Sequence, residues 1–186
     1  MLDPWENTRK RVCPIRYLYC PRCGRKLTPR PAGDDGLVPY CDDCGQYWFD
    51  SFASCVIVLV ANEFREIAML RQSYLSDEYW SYVAGFITPG ETAEQTAFRE
   101  VREELGLELE RLEYGGTFWF SLREQLMHGF IGFVKKADFT LSGEVDRAQW
   151  VPAAQAPGRM FPETPENTQY PLYRQYLQMV EGTRLL

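Results

Sequence analysis

Two pairs of cysteines constrain the N-terminal part of this chain more tightly than any other feature. Cys20-Pro-Arg-Cys23-Gly and Cys41-Asp-Asp-Cys44-Gly form a C-x2-C-x17-C-x2-C pattern, a spacing typical of four thiolates around one zinc ion. The Pro- and Gly-rich stretch between them suits a loop joining two short hairpins. Two disulfides or a redox dithiol are the alternatives, but a cytosolic chain disfavours the first, and the second needs only one pair. We therefore predict a closed, structural zinc ribbon. Cys13 and Cys55 fall outside the pattern and are interpreted as a loop thiol and a buried strand thiol.

Composition bounds the class of protein. The chain has 186 residues, of which 45% are hydrophobic, which suits one compact domain with a small appendage. We predict the ribbon within residues 1–50 and a second domain over residues 51–186. The longest apolar run, over residues 55–61, is far shorter than the roughly 18 residues of a membrane span. The N-terminus lacks the apolar core of a secretion signal. These features predict a cytoplasmic protein with no membrane partner.

The charge is unevenly distributed. The net charge of −6 argues against a general nucleic-acid binder, although eight Lys or Arg residues and no acid lie between Arg9 and Arg30. A negatively charged domain that acts on a negatively charged substrate needs a cation between its own acidic groups and that substrate. The composition therefore already favours a divalent metal.

Hydrophobic patterning predicts strands over residues 55–61, 67–72, 82–87, 114–120 and 126–134, the first two as an antiparallel pair. A capping box at Thr92-Ala-Glu-Gln95 begins a helix that Gly106 ends. A closing helix is predicted over Glu166–Glu181, with Tyr170, Tyr173, Leu177 and Val180 on one face. This order of elements predicts an α/β (α+β) fold in which a mixed β-sheet lies between helices.

The helix that starts at Thr92 carries the acidic residues of greatest interest. At about 100° per residue, its apolar side chains share one face and Glu100, Glu103 and Glu104 share the adjoining face. Glu100 and Glu104 are a like-charged i,i+4 pair, which costs helix stability unless a cation such as Mg2+ bridges them. On its own, such a run is more often a solvated, salt-bridged helix face.

The residues around this helix resemble the signature of the Nudix hydrolases, G-x5-E-x7-R-E-U-x-E-E-x-G-U, where U is aliphatic. The specified positions are met from Gly85 to Leu107 without a gap. The resemblance implies that Glu100, Glu103 and Glu104 bind one to three Mg2+ or Mn2+ ions, with a backbone carbonyl at Ala84 or Gly85 completing the shell. It implies structural roles for Gly85, Glu91, Arg99 and Gly106, with Arg99 and Glu91 paired.

A further carboxylate is expected from outside the helix. The segment Glu144-Val-Asp-Arg-Ala-Gln-Trp150 resembles a downstream Nudix segment in which the Glu reaches the metal site as a ligand or general base. The resemblance therefore adds Glu144 to the catalytic set, whereas an ordinary exposed loop acid is the alternative. It implies hydrolysis of a pyrophosphate bond by a metal-activated water.

The ribbon directly before this domain resembles the NADH pyrophosphatase subfamily, which cleaves NAD(H) and in some members removes NAD caps from RNA. Phe86 and Trp119 are the predicted substrate contacts. Two features differ from that subfamily. Its members normally carry a further domain before the ribbon, whereas only 19 residues precede Cys20 here. Their diagnostic run Ser-Gln-Pro-Trp-Pro-Phe-Pro-x-Ser is replaced by Thr117-Phe-Trp-Phe-Ser-Leu122. Its aromatic residues suit base stacking or core packing. His128 is interpreted as structural.

Three interpretations of function remain open at this point. The first is a pyrophosphohydrolase of a small-molecule dinucleotide or nucleoside diphosphate derivative, such as NADH, ADP-ribose or a flavin dinucleotide. The second is a nucleotide-sensing domain without catalysis, which the intact glutamates disfavour. The third is processing of NAD-capped RNA ends, with the basic Arg9–Arg30 segment contacting nucleic acid. The subfamily resemblance also predicts a homodimer.

Overall fold

The computed structural model describes residues 17–182, which divide into two compact units between Ser51 and Phe52. The first unit holds a three-stranded antiparallel sheet in the order β1-β2-β3. Its strands are β1 (Thr28–Pro31), β2 (Leu37–Cys41) and β3 (Gln46–Tyr47). An isolated bridge between Tyr19 and Lys26 closes the loop that precedes β1. The two cysteine pairs therefore lie at the turns before β1 and between β2 and β3, as expected for two short hairpins.

The second unit is built on one six-stranded mixed sheet. Its strands are β4 (Ala53–Asn62), β5 (Glu66–Arg71), β6 (Val83–Phe86), β7 (Arg111–Phe120), β8 (Gln125–Val134) and β9 (Arg147–Pro152). The sheet order is β7-β8-β4-β5-β9, and β6 also pairs with β4. Strands β4 and β8 are parallel, whereas the other pairings are antiparallel. The predicted mixed sheet is confirmed.

Strand β4 is buried on both faces, which explains its continuous apolar run. Its residues alternate between two hydrophobic cores: Ile57 and Leu59 belong to one, whereas Val56 and Val58 belong to the other. Helix α2 (Gln169–Gly182) buries Leu172, Tyr173 and Tyr176 in the first core, and helix α1 (Ala93–Leu105) buries Ala97, Val101 and Leu105 in the second. The sheet is therefore covered by one helix on each face, as predicted.

Helix α1 begins and ends where the sequence places its boundaries. The Thr92 hydroxyl accepts the Gln95 N–H at 3.3 Å, and the Gln95 side chain accepts the Thr92 N–H at 2.9 Å, so the capping box is complete. Gly106 ends the helix at φ 69°, a left-handed conformation that favours glycine, and its N–H bonds the Arg102 carbonyl. The two caps therefore fix the direction in which Glu100, Glu103 and Glu104 project from the helix.

Three elements differ most from the sequence prediction, and the first, β7, begins at Arg111 and not at residue 114. Helix α2 begins at Gln169 and not at Glu166, because the Asn167 side chain accepts the Gln169 N–H and donates to the carbonyls of Phe161 and Pro162. Asn167 therefore caps the helix instead of lying inside it. Strand β9 was not predicted; it pairs with β5 along its whole length. Within residues 17–182, no helix is long and apolar enough to cross a membrane.

Candidate active site and cysteine centre

The four paired cysteines converge in the first unit. Their Sγ atoms all lie within 4.8 Å of one another, with 3.9 Å between Cys20 and Cys44 and 3.5 Å between Cys23 and Cys41. A disulfide would bring two sulfurs to about 2.05 Å. Four thiolates at about 2.3 Å from a tetrahedral zinc ion lie about 3.8 Å apart. The observed separations therefore fit a shared metal ion and exclude disulfides among these four cysteines.

Each cysteine pair sits in a tight turn that its glycine permits. Gly24 and Gly45 have φ of 76° and 67°, and their N–H groups donate to the carbonyls of Cys20 and Cys41 at 2.8 Å. The Cys44 N–H also points at the Cys41 sulfur, at 3.4 Å. Donors aimed at sulfur stabilise thiolate ligands. Cys55 lies apart in β4 as a buried thiol, and Cys13 lies outside the described residues.

In the second unit, the predicted glutamates converge on one large cleft. Its volume is about 1170 Å³, and its wall includes Glu100, Glu103 and Glu104 from α1 and Glu144 from the loop before β9. Burial raises the pKa values of Glu100 and Glu104, and the negative charge of Glu144 adds to both rises, so the loop carboxylate is close to the helix carboxylates. The structure therefore brings together the four acids that the sequence singled out.

Glu104 is the most unusual of these acids. It is only 4% exposed, its Oε1 accepts one hydrogen bond from Gln72 at 3.2 Å, and its Oε2 has no partner within the described structure. Burial, followed by the charges of Glu100 and Glu144, raises its pKa to about 8. A buried carboxylate oxygen without a donor is costly unless a cation approaches it. The acid therefore fits a position beside a bound metal ion.

Glu100 is held against the backbone of β6. A Cβ atom at Gly85 would lie 2.0 Å from both Cδ and Oε1 of Glu100, so only glycine leaves room for this carboxylate. Burial raises the pKa of Glu100, and Arg99 opposes that rise. Ala84 lines the same cleft. Gly85 thus has a steric role in placing Glu100.

Arg99 joins the helix to the loop that precedes it. Its Nε and Nη2 donate to the two carboxylate oxygens of Glu91 at 2.7 and 2.9 Å, and its Nη2 also donates to the Phe86 carbonyl at 3.1 Å. Its Nη1 donates to Glu100 at 2.7 Å and to Glu103 at 3.0 Å. The Arg99 guanidinium, followed by the Thr88 and Thr96 donors, lowers the pKa of Glu91. Geometrically, the Arg99–Glu91 pairing predicted from the sequence is present.

The loop that carries Glu144 is anchored on both sides. The Trp150 indole donates to the Ala137 carbonyl at 3.0 Å and stacks on Phe139. The Asp146 carboxylate accepts the Ser73 N–H, and the Asp146 N–H donates to the Arg71 carbonyl at 3.0 Å. Gly106 has a packing role, since a Cβ there would lie 2.7 Å from Thr140 Cβ. These contacts fix where Glu144 enters the cleft.

The two predicted substrate contacts are placed differently. Phe86 is 57% exposed and lines the cleft. Trp119 is outside the cleft wall; it packs edge-on against Phe52 at 5.4 Å, because strand alternation turns it to the face opposite Phe118 and Phe120. Phe118 and Phe120 pack against the core that α2 covers, and Phe120 lines the cleft. His128 lies in β8, away from the cleft wall.

Sequence reasoning missed several residues of the cleft. Gln72 supports Glu104, and Tyr74, Arg123 and Phe161 contribute to the wall. Only Gln72 left a signal, as the polar residue at the end of the strand predicted over residues 67–72. The others lie on loops, where no periodicity reports which way a side chain faces.

Comparison with known proteins agrees with this arrangement. Residues 51–176 match the model of the NUDIX domain family. The NAD-capped RNA hydrolase NudC of Chromobacterium violaceum is 31% identical over 141 residues, which are 75% of this chain and 53% of that protein. Nudix hydrolase 19, chloroplastic, of Arabidopsis thaliana is 36% identical over 141 residues, which are 71% of this chain and 32% of that protein. The chain thus spans about half, or less, of the length of these relatives.

Solved structures share the fold at low sequence identity. A NUDIX hydrolase from Nitrosomonas europaea superposes with a TM-score of 0.66 and 19% identity, covering 89% of this chain and 94% of that chain. The NUDIX domain of Shewanella oneidensis NrtR, solved in complex with ADP ribose, gives a TM-score of 0.58 and 16% identity, covering 74% and 94%. These likenesses concern the fold alone.

Proposed function

This chain belongs to the Nudix family, and on that premise we propose that it hydrolyses the pyrophosphate bond of a nucleoside diphosphate linked to a second moiety. The observation that carries the proposal is the convergence of four carboxylates in one cleft, with a buried Glu104 oxygen that finds no donor among the described residues. Clustered acids of this kind repel one another, and divalent cations relieve that repulsion.

The donor set suits Mg2+ or Mn2+, which prefer oxygen ligands. Glu100, Glu103, Glu104 and Glu144 would hold the ions, together with the backbone carbonyl of Ala84. When bound, the ions would neutralise charge on the pyrophosphate and acidify a water molecule for attack on phosphorus. Glu144 enters from a separate loop and would act as a further ligand or as the base that accepts the proton of that water.

The remaining residues of the signature position these acids. Arg99 ties Glu100 and Glu103 to Glu91 and to the Phe86 carbonyl, so hydrogen bonds join the helix to the preceding loop. Gly85 leaves the space that Glu100 occupies. A misplacement of about 1 Å at such a site lowers turnover by about 100-fold. These contacts therefore support catalysis without touching the substrate.

We propose a dinucleotide of the NAD(H) or ADP-ribose kind as the substrate class. The proteins named NAD-capped RNA hydrolase among the relatives support this class. The cleft volume of about 1170 Å³ lies at the upper end of the range for small-molecule sites, and Phe86 offers an exposed ring for stacking on a base. Trp119 is left out of this proposal because it faces away from the cleft.

The cysteine centre is proposed as a structural zinc site in a separate domain over residues 1–50, ahead of a catalytic domain over residues 51–186. Four thiolates leave no open position for chemistry. Two ribbon arginines are already engaged, Arg25 with Asp43 and Arg30 with Asp42, so contact with nucleic acid through this surface is not part of the proposal. The predicted homodimer would be tested by sedimentation.

The test is a panel of NADH, ADP-ribose, a flavin dinucleotide and NAD-capped RNA, incubated with Mg2+ or Mn2+, with the released mononucleotides identified. Glu103→Gln should abolish or strongly reduce release. Glu108→Gln is the matched control, because Glu108 is exposed just beyond α1 and outside the cleft. No release from any pyrophosphate by metal-loaded protein would overturn the proposal, and tight nucleotide binding without release would instead support a sensing domain.

A further inference from the structure

Arg123 is a basic side chain of the cleft that has no acidic partner among residues 17–182. The two basic residues of the cleft wall are Arg99 and Arg123. Arg99 is fully engaged by Glu91, Glu100 and Glu103. In the part of the chain that the structure describes, the Arg123 guanidinium forms neither an ion pair within 4 Å nor a side-chain hydrogen bond. Its five donors are therefore available to a ligand.

The backbone fixes where Arg123 is presented. Residues 121–124 form the turn between β7 and β8, and the Arg123 N–H donates to the Phe120 carbonyl at 3.3 Å. Glu124 follows at φ 51°, a left-handed conformation that completes the tight reversal. Phe120, Leu122, Arg123 and Gln125 all line the cleft. The turn therefore forms one wall of the cleft and holds the guanidinium at its rim.

Strand register separates Arg123 from the glutamates: Gln125, two residues after Arg123, pairs with Ala53 of β4, whereas Gly85, which contacts Glu100, pairs with Val56 further along the same strand. Burial raises the pKa of Tyr74, the charges of Glu104 and Glu144 raise it further, and the charge of Arg123 lowers it. Burial likewise raises the pKa of Cys55 to about 11, and Arg123 opposes that rise. Tyr74 and Cys55 therefore lie close enough to be affected by the charges of both the glutamates and Arg123.

We propose that Arg123 binds a phosphate ester of the substrate that is separate from the pyrophosphate, and so selects dinucleotides that carry such a phosphate. The inference rests on the proposed function, since the pyrophosphate must lie at the carboxylates. A guanidinium matches the oxygens of a phosphate group with two parallel hydrogen bonds. Two sources share this chemistry: a 2′-phosphomonoester, as in NADPH, and the 3′-phosphodiester that follows an NAD cap on RNA.

The size of the effect follows from exposure. Arg123 is exposed, so solvent weakens its interaction with phosphate relative to a buried pair. A charge-assisted hydrogen bond at such a position changes affinity by about tenfold. The change should appear in KM, because a contact with a phosphate that does not react is made equally in the bound substrate and in the transition state. Arg123→Lys keeps the charge but loses the planar fork, and should retain an intermediate preference.

The experiment compares kcat/KM for NADH, NADPH and a short NAD-capped RNA in wild type, Arg123→Ala and Arg123→Lys. Lys135→Ala is the matched control, because it removes one exposed positive charge at the opposite end of β8. We expect Arg123→Ala to lower kcat/KM about tenfold for a phosphate-bearing substrate and to leave NADH unchanged. If kcat/KM falls for NADPH alone, Arg123 binds the phosphomonoester. If it falls for capped RNA alone, Arg123 binds the phosphodiester, and if it falls for both, Arg123 binds either ester.

Equal changes for all three substrates, or no change for any, would overturn the inference. If the wild type hydrolyses none of them, the proposed function fails, and calorimetric binding of NADPH and NADH still decides the role of Arg123. A wild-type preference for NADPH that Arg123→Ala removes would then support it. If wild type and Arg123→Ala bind NADPH with the same affinity, and NADH with the same affinity, the inference is overturned.

Discussion

Replacing Gly85 with alanine should strongly lower turnover while leaving the fold intact. The new Cβ would stand 2.0 Å from Cδ and Oε1 of Glu100, whereas ordinary contact begins at 3.4 Å. The carboxylate must therefore retreat by about 1.4 Å, which also breaks its 2.7 Å bond with Arg99. Because a misplacement of about 1 Å costs about 100-fold in rate, we expect kcat to fall at least 100-fold.

The same substitution should leave the fold intact, because the atoms that must move are the far end of one flexible side chain. Gly158→Ala is the matched control: a Cβ there meets nothing within 4 Å, and the residue is outside the cleft. Steady-state kinetics, thermal midpoints and a Mn2+ titration would be measured on both variants. If Gly85→Ala has the same thermal midpoint as Gly158→Ala and keeps kcat within threefold of wild type, Gly85 does not position Glu100 for catalysis.

Three further predictions follow from the same contacts. Glu144→Gln should lower kcat by at least tenfold while shifting the thermal midpoint by less than about 2 °C, since the residue lies on an exposed loop; unchanged turnover would remove Glu144 from the mechanism. In metal-free protein, the pKa of Glu104 is raised from 4.5 to about 8, so the folded state holds its proton more tightly than the unfolded chain does. The contribution of Glu104 to the free energy of unfolding should therefore be fully present below pH 4.5 and lost as the pH rises through 8, so denaturant titrations between these pH values should find a smaller fall in Glu104→Gln than in wild type. Elemental analysis should find one zinc per wild-type chain, less than half of it in Cys41→Ser, and all of it in the control Cys55→Ser, whose thiol is outside the cluster.

Local patterns made much of the fold predictable. The capping box and Gly106 define both ends of α1, because side-chain and backbone hydrogen bonds at helix ends depend on a few adjacent residues. The apolar run of β4 identified a strand buried on both faces. The start of α2 was placed too early, since the capping role of Asn167 depends on tertiary contacts with Phe161 and Pro162.

The candidate site was predictable where one helix carries it. Glu100, Glu103 and Glu104 share a face by helical geometry alone, and the structure brings them together with Glu144. The steric reason for Gly85 could not be read from sequence, because it depends on how closely β6 approaches α1. Trp119 was expected near the substrate, but its direction depends on the register of β7 with β8, which the sequence leaves open.

The most direct test of the central claim is hydrolysis of NADH by the metal-loaded protein in water enriched in oxygen-18. Attack of water on phosphorus predicts two mononucleotides, with one labelled oxygen on the phosphate of one of them and none when the metal is removed. Release of nicotinamide with an intact pyrophosphate, or mononucleotides without label, would contradict the account.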